Sequence, residues 1–194
     1  PTDPYPYKVS WNVSIGVPKE ARIFRFYKST GDLTIDWGDG TVDILSGTGG
    51  TITPVTHQYD GTVENPVMSI GDKENDTANF GGIYQSIGAG RQDIRELIQW
   101  GQHSLYLPYY MFKYCEAMDM TATDTPDFSA ATNMSNMFNG CFNFKGNESI
   151  NTWDVSNITT MFAMFRDTRV FNQDLDNWDI SNVITIGQFM YSAR

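Results

Sequence analysis

Positive charge is scarce in this 194-residue chain: 13 Lys and Arg stand against 23 Asp and Glu, a net charge of −10. No Lys/Arg cluster stands out, so a nucleic-acid backbone and an anionic membrane are excluded as partners. No stretch approaches the ~18 consecutive apolar residues of a membrane span. Histidine is rarer still. His57 and His103 lie far apart in the sequence, and no Ser/His/Asp arrangement, zinc-ligand spacing or phosphate-cradling glycine loop is present. Gly47-Thr48-Gly49-Gly50 lacks the following Lys and helix that a phosphate loop needs. Carboxylates are plentiful, but nothing in the pattern selects the ~5–9.5 Å pair that glycoside hydrolysis requires. The expectation is a protein without enzymatic activity.

Cysteine occurs twice, at Cys115 and Cys141. Both follow a Phe at a turn, where a small buried side chain is needed, so free buried thiols are expected rather than a bridge. There is no signal peptide and no initiator Met; Pro1-Thr2-Asp3-Pro4-Tyr5-Pro6 reads as an extended linker or a processed start. What the chain has in abundance is apolar residues (40%), aromatics (14%), and Gly, Asn, Thr and Ser, a composition that favours strands and turns.

The C-terminal half repeats. Trp153-Asp154-Val155-Ser156-Asn157-Ile158-Thr159 returns as Trp178-Asp179-Ile180-Ser181-Asn182-Val183-Ile184, a period of 25, and Met111-Phe112 returns as Met137-Phe138 and Met164-Phe165 after 26 and 27. Such periods mark stacked supersecondary units. Four units are expected, at 100–125, 126–152, 153–177 and an incomplete 178–194. Ser156 or Ser181 would cap a short helix, whose stripe is Ile158, Met161, Phe162 and Phe165 at i, i+3, i+4 and i+7. Asp174 to Ile180 would be a short strand. The Met/Phe ladder is read as core, and Asp154, Asp174, Asp176 and Asp179 as a solvated edge. Unit four leaves an apolar face that a further unit or a partner would cover.

Residues Phe171 to Val183, Asn133 to Cys141 and Asn157 to Phe165 resemble the repeat of the BspA-like leucine-rich-repeat surface proteins, and Ile98–Gly101 with Ala122–Phe128 resemble the segment that leads into such arrays. The resemblance covers residues 94–194. It implies a secreted or surface-displayed binding or adhesion module, found in bacteria and some of their viruses.

Residues 1–70 read as short strands at even spacing: Val9–Ile15, Ala21–Tyr27, Leu33–Trp37, Val42–Leu45, Val55–Tyr59 and Val67–Ile70. Ile35-Asp36-Trp37-Gly38-Asp39-Gly40-Thr41 with His57-Gln58-Tyr59 resembles the PKD-type immunoglobulin-like domain. That resemblance implies a surface spacer or contact module and a structural part for His57. Residues 71–99 connect the halves and supply the first ladder strand. The fold class expected is therefore α+β in two parts: a PKD-like β-sandwich, then a solenoid of short strand plus short helix.

Asp36, Asp39 and Asp43 are calcium candidates, because hard oxygens on a tight turn suit that ion. The competing reading has Asp39 capping its own turn through an Asx-type bond. No other cofactor is expected. For a partner, Asn177, Asp179 and Tyr191 are the candidate contact residues. The partner would be a protein or glycan on another cell or host surface. The alternative is a structural virion component contacting neighbouring subunits.

Overall fold

The structure, a computed structural model, describes residues 7–11, 22–28, 32–45, 51–71, 80–83, 94–101 and 103–193. Nine strands are assigned among them: β1 Tyr7–Trp11, β2 Arg22–Lys28, β3 Leu33–Asp36, β4 Val42–Leu45, β5 Thr51–His57, β6 Val67–Ile70, β7 Phe80–Ile83, β8 Ile94–Gln99 and β9 Asp119–Met120. They form a six-stranded sheet, β4-β3-β6-β1-β8-β9, and a three-stranded sheet, β5-β2-β7.

The six-stranded sheet is mixed. All its pairings are antiparallel except β8 with β9, which run parallel with Leu97 opposite Met120. Strand β1 lies between β6 and β8, and its inward residues Tyr7 and Val9 are fully buried. The alternation of β3 places Leu33 and Ile35 inward, as period-two patterning demands. One sheet thus carries the chain from the Asp-Gly turn to the first unit of the repeat half.

The expected α+β class is wrong. No α-helix occurs among the described residues, and the helical content is one 3-10 helix, Glu148–Thr152, capped by the Asn147 side chain. The predicted units of short strand plus short helix are replaced by consecutive turns. Residues at two positions of every unit explain why. Tyr110, Asn136, Ala163 and Gln188 have φ of 61, 58, 53 and 57°; Tyr114, Gly140, Asp167 and Ser192 have φ of 63, 77, 60 and 59°. A left-handed residue every fourth position ends any right-handed helical turn before a second can follow. The backbone N–H groups that an α-helix would send back four residues instead point at the neighbouring unit.

The supposed helical stripe is divided accordingly. Ile158, Met161 and Phe165 are fully buried, but Phe162 is 37% exposed. The cap is also different from the one expected, since the Asp154 carboxylate accepts from the Ser156 N–H and Oγ–H at 3.0 and 2.7 Å. Asp174 to Ile180 is turn, not strand. The parallel contacts between units are single bridges at Ser104–Asp127, Asn133–Thr160 and Thr160–Thr185.

What holds the units together is a repeated set of hydrogen bonds with one direction. Met161, Ala163, Phe165 and Asp167 donate to the carbonyls of Thr185, Gly187, Phe189 and Tyr191; Met134, Asn136, Phe138 and Gly140 donate to Thr160, Phe162, Met164 and Arg166. Tyr110, Phe112 and Tyr114 donate likewise to Ser135, Met137 and Asn139, and Pro108 occupies the fourth donor position, where it has no N–H to give.

Side chains stack on the same register. Phe138 lies parallel to Phe112 and to Phe165 at centroid distances of 5.6 and 5.5 Å, and Phe171 lies on Phe165 at 4.2 Å. Trp153 and Trp178 stack at 6.1 Å. Cys115 and Cys141 are free and buried in this core, with the Cys141 thiol donating to the Phe112 carbonyl at 3.0 Å. Burial, and secondarily the neighbouring Cys115, pushes the Cys141 thiol well above its ordinary pKa, so it is an unreactive core group.

Candidate functional site

The three calcium candidates do not converge. The Asp36 carboxylate accepts from the Gly38 N–H at 2.9 Å, and Asp43 accepts from the Trp37 indole N–H at 2.9 Å. Asp39 accepts from the Thr41 N–H and hydroxyl at 3.1 and 2.6 Å, as the turn-capping reading requires, and also meets His57 Nε2 at 2.8 Å. Among the described residues no group of three or more His, Cys, Asp or Glu side chains is placed to hold a metal ion.

His57 lies flat on Trp37 at 4.4 Å, with Tyr59 edge-on to it and the Tyr59 hydroxyl bonded to the Trp37 carbonyl. Burial raises the Asp39 carboxyl, but the Thr41 and His57 bonds outweigh it and leave its pKa below the ordinary value. Tyr59 is pushed far up by burial and then by Asp39 and Asp36. The cluster ties the β3–β4 turn to the end of β5, which is work for a structural knot.

Of the three predicted contact residues, Asp179 and Tyr191 are exposed on separate features. Asp179 accepts from the Ser181 N–H at 3.0 Å and closes its own turn, and hydrogen bonds from the Ser181 side chain and backbone lower its pKa. Tyr191 lies under the Arg166 guanidinium at 5.3 Å. Asn177 instead lines a groove.

That groove is about 670 Å³ across three consecutive units. The segment after β9 supplies Met120, Thr121 and Thr123. The 3-10 helix and its cap supply Asn147, Glu148, Ser149, Asn151 and Thr152, and the next unit supplies Asn177. The groove has a fixed frame. Asn147 Nδ2 donates to the Ala122 carbonyl at 2.8 Å, and its Oδ1 accepts from Ser149 N and Oγ at 2.9 and 2.6 Å. Thr152 Oγ1 donates to the Ser149 carbonyl at 2.7 Å, and Asn151 Oδ1 accepts from the Asn177 N–H at 3.0 Å.

Within this frame the Thr121 and Thr123 hydroxyls, the Asn151 Nδ2, the Asn177 side-chain amide and the Glu148 carboxylate have no hydrogen-bond partner among the described residues. The sequence reading missed all of these except Asn177. The available signal was register: Thr121 and Asn147 occupy the same position of successive units, shortly before the starts of the next units at Pro126 and Trp153.

A family described as "Mycoplasma protein of unknown function, DUF285" matches residues 108–194. That family is associated with BspA-like surface proteins, and the match falls on the repeat half. No curated protein and no solved structure matches the chain.

Proposed function

We propose that the chain is a non-enzymatic binding module, displayed outside the cell, that recognises protein or glycan through the groove over Thr121–Thr123, Glu148–Thr152 and Asn177. The observation that carries this reading is the frame. Asn147 and Ser149 spend their hydrogen bonds inward, which fixes the walls, while five polar groups of the lining are left without a partner among the described residues. The similarity of residues 108–194 to a family associated with surface proteins supports the location. The acidic net charge keeps nucleic acid and anionic lipid out of consideration.

Catalysis is not part of the proposal, because the groove holds one carboxylate, Glu148, and no histidine, cysteine or lysine to work with it. The test is screening on glycan and protein arrays with the parent chain and with Thr123→Trp, which fills the groove from an exposed position. Ligands bound by the parent and lost by the variant are expected. Binding that Thr123→Trp leaves unchanged sinks the assignment of the site, and no binding by a folded parent sinks the module.

A further inference from the structure

We infer that the groove takes a neutral oligosaccharide of two to three sugar rings, an inference that rests on the binding reading above and narrows it. Charge is the first discriminator. The lining carries Glu148 and no Lys or Arg, on a chain of net charge −10. An anionic sugar or a phosphorylated ligand would meet repulsion with nothing to offset it.

The kind of polar group is the second. The uncommitted groups are hydroxyls (Thr121, Thr123), amides (Asn151, Asn177) and a carboxylate, so donors and acceptors are mixed over one surface. A sugar ring presents the same mixture, since every hydroxyl both donates and accepts. A peptide bound through its backbone needs a sheet edge, with pockets for alternate side chains. The groove is walled by side chains, and Met120 is its one wholly apolar lining residue. No aromatic ring lines it, which disfavours a nucleobase as well.

The third is length. The uncommitted groups come from three successive units, and hydrogen-bonded neighbours repeat at ~4.8 Å. The row therefore runs roughly 10 Å, enough for a short oligosaccharide and too long for a monosaccharide to touch every group. Binding is through hydrogen bonds that replace those to water, so each contact contributes modestly and several must act together.

The experiment is a ¹H–¹⁵N titration of the intact chain, at millimolar ligand, with maltotriose, cellotriose, chitotriose, trigalacturonate and the peptide Lys-Ala-Lys. The expected result is that at least one neutral trisaccharide moves the side-chain amide signals of Asn151 and Asn177. The buried Asn136 and Asn139 amides, which bond one another at 2.7 Å, stay still. Asn177→Ala should weaken that binding at least tenfold, and Thr123→Trp should abolish it while the rest of the spectrum is preserved.

Shifts at Asn151 and Asn177 from Lys-Ala-Lys alone overturn the saccharide and leave the groove a peptide site. Shifts from trigalacturonate alone overturn the charge argument. No shift from any probe overturns the saccharide inference; the array screen with Thr123→Trp then decides separately whether the groove binds a protein.

Discussion

Replacing Phe165 by Ala tests how the repeat half is packed. The ring is fully buried and touches three successive units: Phe138 on one side at 5.5 Å, Phe171 in its own unit at 4.2 Å, and Phe189 beyond at 5.4 Å. Removing it forfeits a transfer contribution of ~1.5–3 kcal/mol for a buried aromatic side chain. The unit cannot collapse onto the void, because its backbone is held on both sides by the hydrogen bonds at Phe165 and at Phe138. A cavity penalty and lost ring contacts therefore add ~1–2 kcal/mol, for a total of ~2.5–5 kcal/mol.

The informative control is Phe162→Ala. On a helix, residues 158, 161, 162 and 165 would share one buried stripe, and both substitutions would be severe. In the turn-built unit Phe162 is partly exposed, and its loss should cost no more than ~1 kcal/mol. Urea unfolding of both variants by circular dichroism gives the two values at an unchanged denaturant slope. A cost below ~1.5 kcal/mol at Phe165, or a Phe162 variant as damaged as Phe165, refutes the reasoning.

Asp39→Ala removes a turn cap and the hydrogen-bond partner of His57 together, so it should cost about 1–3 kcal/mol, more than a cap alone; adding calcium should move the melting temperature of neither parent nor variant, and a calcium shift lost with Asp39 would reverse this. Because the folded-state pKa of Asp39 is depressed, its contribution is present above the unfolded-chain value of about 3.9 and fades as pH falls through the lower folded value. Parent and Asp39→Ala stabilities should therefore converge in strong acid, as chemical denaturation at stepped pH will show. Gly140→Ala combines φ +77° with a methyl that would overlap the Tyr114 ring, and should cost at least ~2 kcal/mol by the same unfolding assay. Amide hydrogen exchange should separate the units: Ala163, Phe165 and Asp167 donate to the last unit and should be protected, whereas Ile186, Gln188, Met190 and Ser192 have no acceptor among the described residues and should exchange fast.

The sequence disclosed periodicity better than conformation. The register that aligns Phe112, Phe138 and Phe165 is a statement about which side chains are buried, and it corresponds to a column of stacked rings. Spacings of three and four residues fit a helix, but consecutive tight turns also bring such positions to one side. The left-handed residues that distinguish the two are Tyr110, Asn136, Ala163 and Gln188 at one position, and only the Asn has any preference for that backbone. A non-glycine in the left-handed region is held by hydrogen bonds to a neighbouring unit, which for Gln188 are those its flanking Gly187 and Phe189 carbonyls accept from Ala163 and Phe165, and no local pattern records them.

In the N-terminal half, β4 and β6 span the residues their alternation suggested, while β5 begins earlier than expected and Ile15 lies outside the described residues. Much of the Gly47–Gly50 and Gly71–Thr77 loops also lies outside them. The groove was hardest to foresee. It depends on which of many Thr and Asn side chains are already bonded inward, as Asn147 is, and which are left over.

The hydrogen bonds between units give the stack a polarity. At the last interface Met161, Ala163, Phe165 and Asp167 point N–H toward the following unit, while Ile184 and Thr185 point theirs back to the Thr159 carbonyl, so the forward-pointing dipoles outnumber the reverse ones along the stacking axis. The outer face of the unit at 178–193 is the electropositive end, with donors at alternate residues and the apolar side chains of Ile184 and Ile186 between them. Carbonyls or carboxylates laid against that face would satisfy its backbone donors at Ile186, Gln188, Met190 and Ser192.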